Sequence, residues 1–382
     1  MHMLDHCKKV FLTSVFCTAV IYLFIGQRAH HNVTTQIPPD AQGRSLLTQF
    51  STKRAAASTN TPTSIVSSAV EPDATEPADL NTDVINPHPY SFLLNKPNLC
   101  KTREGNEPPV VILVPSASTN FQQRKAIRST WGNASLHLGF KLAFLLGHPK
   151  IKAVQPMIQA EDNLYHDVIQ ENFTDVYNNL ALKSVMMVRW VTEHCPNARF
   201  VLKIDDDMLL NVWGLQAEIE TSFRGSSGTM WGLLAQHWTP IRNPVSKWYV
   251  PVRVYKKRVF PDFLTGPAYL FTGDCAPVLY NVSFTVPYLP LEDVFLTGVV
   301  ARKAGITRKS HPGFLNYPKI LQPCAEPRQI ASHGYRPLML MRLWRSLYLK
   351  HGLSKCKVRQ SERNVTVGYP RPGFSGTADS AS

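Results

Sequence analysis

Three observations predict an α/β fold with a sheet that is at least partly parallel. Between residues 109 and 204, short apolar β-branched runs alternate with stretches of helical spacing. One of those runs, "RFVLKI" at 199–204, ends directly on three consecutive acids, Asp205, Asp206 and Asp207. The chain has 382 residues, 44% of them hydrophobic, which is enough to bury one large core and leave accessory segments.

The elements follow in chain order. Residues 10–26, "VFLTSVFCTAVIYLFIG", form an uncharged apolar run after Lys8 and Lys9. As a helix the run spans roughly 25 Å, which suits a thin early-secretory bilayer. Its basic flank predicts a nine-residue cytoplasmic tail, a transmembrane signal-anchor at 10–26 and a lumenal remainder. A cleaved signal peptide is the rival reading, and the run exceeds a usual signal core. Residues 27–95 are rich in Ser, Thr, Pro and Ala without lasting periodicity, and read as a flexible, disordered stem. The globular part is expected over 96–356, with a loose tail at 357–382.

Within the globular part, "PVVILVPSAS" (109–118) reads as a buried strand and "FQQRKAIRSTW" (121–131) as a helix behind Asn120. "KLAFLLG" (141–147) is a second strand. "NNLALKSVMMVRWVTEHC" (178–195) is an amphipathic helix stopped by Pro196, and 199–204 is a third strand. Beyond Gly225 the pattern is less regular, until "PLMLMRLWRSLYLKHG" gives a C-terminal helix.

The formal net charge of +14 points to an anionic partner. The anchor disfavours nucleic acid, and no nucleic-acid-binding motif occurs. Sequons at Asn32, Asn133, Asn172, Asn281 and Asn364 are consistent with passage through the secretory pathway. Of seven cysteines, Cys100, Cys195, Cys275, Cys324 and Cys356 lie in the expected lumenal part, so an odd thiol is left over.

In open α/β sheets, ligands collect at the carboxyl ends of strands. Hard carboxylate oxygens at 205–207 suit Mn²⁺ or Mg²⁺, and such an ion suits a diphosphate. A calcium loop is excluded, because Leu209 and Leu210 stand where an oxygen ligand and a glycine are needed. A solvated acidic turn capping the next helix remains the alternative on spacing alone.

"RKAIRSTWG" (124–132), "KIDDDMLLNV" (203–212) and "LEDVFLTG" (291–298), in that order, resemble the blocks of the β-1,3-glycosyltransferase family of galactosyl- and N-acetylglucosaminyltransferases. "SKWYVP", "GPAYLFTGD" and "SHGYRP" add to the resemblance, which covers roughly 100–356. It implies a GT-A-type nucleotide-sugar-binding fold with a mixed, mainly parallel central sheet. It also implies a type II Golgi membrane protein that transfers galactose from UDP-galactose to a terminal sugar of a glycoprotein or glycolipid, in β-1,3 linkage with inversion. UDP-N-acetylglucosamine is the alternative donor, and an inactive lectin- or chaperone-like protein the rival of a different class. Oligomeric state is left open.

Residue by residue, the resemblance implies Asp205, Asp207 and His333 as ligands of Mn²⁺ (Mg²⁺ as the alternative). Asp205 and Asp206, with Arg124 and Arg128, fall on the donor side, and Asp293 is implied as catalytic base with Glu292 beside it. An acid beside an acid raises its neighbour's pKa, and Glu292 could equally cap the next helix. Trp131 reads as packing. Trp231, His237, Trp238, Trp248 and Tyr249 read mainly as core, with stacking on an acceptor sugar as the other reading. Cys100–Cys195 and Cys324–Cys356 are candidate bridges whose pairing spacing does not decide. The block "EDVFLTG" is one residue longer than the "EDVFVG" form of relatives.

Overall fold

The computed structural model describes residues 83–101, 109–319 and 328–346. The anchor at 10–26, the stem up to residue 82, the tail at 357–382 and the Cys324–Cys356 pair lie outside the described residues. Among those described, no helix is long and apolar enough to cross a membrane.

An eight-stranded mixed sheet runs in the order β1-β4-β3-β2-β5-β8-β7-β9. Its strands are β1 (Phe92–Leu94), β2 (Val110–Pro115), β3 (Lys141–His148), β4 (Val168–Thr174), β5 (Phe200–Ile204), β7 (Thr229–Ala235), β8 (Phe263–Thr272) and β9 (Thr307–Ser310). Neighbours from β4 through β3 and β2 to β5 are parallel, as are β7 and β9; β1, and β8 on both sides, pair antiparallel. The expected mixed, mainly parallel sheet is therefore present. A second, three-stranded sheet joins β10 (Phe314–Leu315), β11 (Ala331–His333) and β6 (Met208–Leu210).

Strand β2 shows why the sheet is buried on both faces. Val111 and Leu113 belong to one apolar cluster, and Val110, Ile112 and Val114 to the other. This is the two-residue period of a strand covered on each side. The first cluster holds α4 (Leu180–His194) and α6 (Cys275–Ser283). The second holds α1 (Phe121–Arg128), α2 (Trp131–His137), α3 (Val154–Tyr165), α5 (Val212–Glu220) and α7 (Pro337–Trp344). Each fully buried large aliphatic or aromatic side chain contributes about 1.5–3 kcal/mol.

The chain moves outward from β2 to β3 and β4, then returns to place β5 on the other side of β2. That reversal opens a crevice beyond the carboxyl ends of β2 and β5.

Several details correct the sequence reading. The helix expected over 121–131 breaks at Ser129–Thr130 and restarts as α2. Residues 92–94, assigned to the stem, form β1 against β4, and Asn86 Nδ2 donates to Val286 O. Cys100 and Cys195 form a disulfide, and buried Cys275 is the free thiol among the described residues.

Candidate functional site

The three acids leaving β5 face three different partners. Asp205 Oδ1 accepts from Lys203 Nζ at 2.7 Å. Asp206 Oδ2 turns to the loop after β2 and accepts from Ser116 Oγ at 2.6 Å and Asn120 Nδ2 at 2.9 Å. Asp207 points to the small sheet, where β6 pairs antiparallel with β11 and sets His333 opposite Met208. Its carboxylate lies 3.2 Å from His333 Nε2, and its carbonyl accepts from Gly334 and Tyr335 N–H. The repulsion of adjacent carboxylates is thus relieved by separate counterparts. Asp205 is nonetheless pushed up to about 7 by loss of water, with Glu292 and Asp207 adding to the rise and Lys203 opposing it.

Asp207 and His333 are partly exposed, their side chains at 43% and 33%. Among the described residues no group of three or more His, Cys, Asp or Glu side chains closes into a coordination set. A carboxylate beside an imidazole still fits a divalent ion that takes its remaining oxygens from a diphosphate and water. Asp205, expected beside Asp207 as a ligand, has one oxygen engaged by Lys203.

Lys203 joins this side of the crevice to the other. Its Nζ lies 2.9 Å from Glu292 Oε1 and also donates to Gly266 O. Burial alone would lower the Lys203 pKa, but Asp205 and Glu292 hold it well above the usual lysine range. Glu292 Oε2 accepts from Ser184 Oγ at 2.7 Å and from Tyr269 Oη at 3.3 Å. Asp293 Oδ2 accepts from Gly266 N–H at 3.0 Å, and its Oδ1 from Val294 N–H at 2.8 Å. Burial and the adjacent Glu292 push Asp293 up to about 6, against Val294 N–H, Lys203 and Gly266 N–H.

Sequence reasoning did not single out Tyr177. It lies within electrostatic reach of Asp293, Asp205 and Glu292, with the Trp248 side chain near its hydroxyl. Both rings are about half exposed, Tyr177 at 48% and Trp248 at 47%. Trp248 and Trp238 are therefore not core residues, whereas Trp231 is buried.

Arg124 and Arg128 were expected on the donor side, and the structure corrects this. Arg124 has no exposed surface and forks onto Glu161 at 2.7–3.1 Å. Its remaining donors hold Ser116 Oγ and the Ala117 and Ser118 carbonyls. Arg128 bridges Glu161 and Asp167, with its guanidinium over the Phe144 and Tyr165 rings. A buried carboxylate between α1 and α3 needs that positive charge, so Arg124 braces the loop from inside while Arg128 fixes Glu161 to the end of α3. Lys183, also buried, bonds Ser116 O and Asp175 from the neighbouring side. Trp131 is buried and donates to Met208 O at 2.9 Å, the packing role expected of it.

Lys203 had a sequence signal, being one lysine inside the otherwise apolar run of β5. Ser184, Asp175 and Tyr177 had none.

The galactosyltransferase family model matches residues 122–312. Beta-1,3-galactosyltransferase 1 of Mus musculus is 35% identical over 278 residues, covering 72% of this chain and 84% of the relative. Beta-1,3-galactosyltransferase 5 of Homo sapiens is 37% identical over 250 residues, covering 64% and 80%. The lactosylceramide 1,3-N-acetyl-beta-D-glucosaminyltransferase of Rattus norvegicus is 32% identical over 262 residues, covering 66% and 68%. With its acids gathered at the switch point of the sheet and most of each galactosyltransferase relative covered, the chain belongs to the galactosyltransferase family.

Proposed function

We propose that the protein is an inverting β-1,3-galactosyltransferase of the GT-A type, moving galactose from UDP-galactose to a terminal N-acetylhexosamine of a glycoprotein or glycolipid. The observation that carries this is the bridge that Lys203 makes between Asp205 and Glu292. Asp207, next to Asp205, meets His333 on one side, and Asp293, next to Glu292, stands on the other. Asp293 takes the proton of the acceptor hydroxyl as its oxygen attacks the anomeric carbon. The carbon–oxygen bond to UDP breaks on the opposite face, which gives inversion in one displacement. A carboxylate near pKa 6 is a stronger base than an ordinary aspartate and is still ionised at neutral pH. The Gly266 and Val294 N–H groups hold its two oxygens, which fixes the direction of proton transfer.

Asp207 and His333 would hold Mn²⁺ or Mg²⁺, with Asp205 beside them. When bound, the ion supplies Lewis-acid stabilisation of charge on the departing diphosphate. The buried Arg124 and Lys183 keep Ser116 and Asp206 in place behind the donor. The apolar run at 10–26 is proposed as a Golgi signal-anchor with the enzyme lumenal.

A donor panel with the purified full chain tests the reading. Transfer from UDP-galactose to an N-acetylglucosamine β-glycoside is expected, with a β-1,3 product. Transfer only from UDP-N-acetylglucosamine would move the protein to the activity of its rat relative. No turnover of either donor by folded protein would favour the inactive binding module.

A further inference from the structure

The segment between β7 and β8 is built as a rigid, cationic platform. Residues 236–262 carry Arg242, Lys247, Arg253, Lys256, Lys257 and Arg258 against one acid, Asp262, which accepts from Gln236 Nε2. Arg242 is spent on the interior. Its guanidinium clamps the carbonyls of Val250, Tyr255 and Lys257 at 2.6–3.2 Å, while Val250 is buried and Tyr255 packs on Phe260. The other five cations are exposed, and none forms an ion pair among the described residues. A solvated basic face is common. This one differs in its attachment, because it runs directly into the start of β8, where Trp238 packs edge-on to Phe263, Leu264 N–H meets Thr297 and Gly266 N–H holds Asp293.

We propose that this platform, Lys247, Arg253, Lys256, Lys257 and Arg258 on the segment that leads into the Asp293 side of the site, selects glycan acceptors bearing a negative charge. The proposal rests on the transfer reading given above and names the substrate class of that site. Tyr177 and Trp248, each about half exposed, supply aromatic surface for the C–H face of the acceptor sugar, with Lys247 Nζ 4.5 Å over the Trp248 ring. The cations supply charge complementarity for a sulfate ester on that sugar or a carboxylate on its neighbour. A platform held by the Arg242 clamp presents these charges without a large ordering cost.

The experiment compares KM of the full chain for three acceptors with UDP-galactose. These are a neutral N-acetylglucosamine β-glycoside, its 6-O-sulfate, and a disaccharide glycoside in which a uronic acid precedes the same terminal sugar. At low salt the anionic acceptors are expected to show KM about three- to tenfold lower, and which of the two gains more identifies the anion. The advantage shrinks in about 0.5 M NaCl, where screening acts within a few ångströms. In the triple variant Lys256→Ser, Lys257→Ser, Arg258→Ser, the ratio of neutral to anionic KM falls toward one. These side chains are exposed, so the fold survives their loss, and the salt series on the unaltered protein needs no variant. Equal KM values for all three acceptors overturn the proposal alone, as does an advantage that persists in the variant. Transfer to no acceptor overturns the galactosyltransferase reading together with it.

Discussion

Lys203 Nζ stands 2.9 Å from Glu292 Oε1, with both side chains more than nine-tenths buried. This contact ties the end of β5 to the segment that carries Asp293. The same ammonium bonds Asp205 and the Gly266 carbonyl, and the Gly266 amide holds Asp293. One cation therefore fixes acids on both sides of the crevice. Lys203→Met would leave Glu292 buried without its counter-charge. The expected cost is about 3–5 kcal/mol of stability, measured by urea unfolding. Transfer by the fraction that remains folded should fall by at least about a hundredfold.

Asp293 gives the pH dependence its sign. A base works only when ionised, and its pKa lies near 6, so kcat/KM should fall about tenfold per pH unit below that value. Above it, the rate should be flat until another group titrates. Asp293→Asn should lower kcat by about 10²–10⁴ while donor affinity is retained. A variant with near-normal transfer would remove Asp293 from the mechanism.

Arg124→Ala should destabilise the fold by about 3–5 kcal/mol, because Glu161 would keep a buried charge with only Arg128 beside it. Burial raises the Glu161 pKa, but the two guanidiniums hold it below the ordinary value. Arg124→Lys should recover only part of the loss, since an ammonium cannot reach Glu161, Ser116 and two carbonyls at once. Thermal unfolding of the three proteins measures the difference.

Removal of the divalent ion by chelation and dialysis should abolish transfer, and added Mn²⁺ should restore it. His333→Ala should raise the Mn²⁺ concentration for half-maximal rate by about tenfold or more, since it removes one of two neighbouring donors. Full activity after exhaustive chelation would sink the assignment of Asp207 and His333.

The Cys100–Cys195 bridge pins the segment that carries β1 onto the end of α4, across 95 residues of sequence. For a loop of that size, chain entropy predicts that Cys195→Ser costs about 4–5 kcal/mol. Scanning calorimetry of the variant against the parent tests this.

The inner strands β2, β3 and β5 and helix α4 were legible because each is a dense apolar segment of the right period and length. Strand β4 was not, because "VIQENFT" buries Gln170 and Glu171, whose partners come from distant segments. Gln170 bonds Gln155 and Gly147, and Glu171 meets His88 and Arg189. Helices α3, α5 and α6 were missed for a related reason. Their buried faces include Glu161, Asp162, Glu218 and Ser283, which blur the apolar stripe. At the site, the motifs named Asp205, Asp207, Asp293 and His333, and the fold brings Asp207 and His333 into contact. The same motifs could not say that Arg124 and Arg128 face inward, since that depends on Glu161 and Asp167 more than thirty positions away.

The residues after Asp293, Val294–Val300, wind as a π-helix, and Thr297 Oγ1 returns to the Asp293 carbonyl. A π-turn is a local widening of a helix, most often a single turn and frequently found at functional sites. Here the widening falls directly downstream of the acid, which stays fastened to Gly266. Thr297 Oγ1 also meets the Leu264 amide and carbonyl, so this widened turn is tied to β8, and Asp293 is braced from the strand rather than by the regularity of the coil behind it.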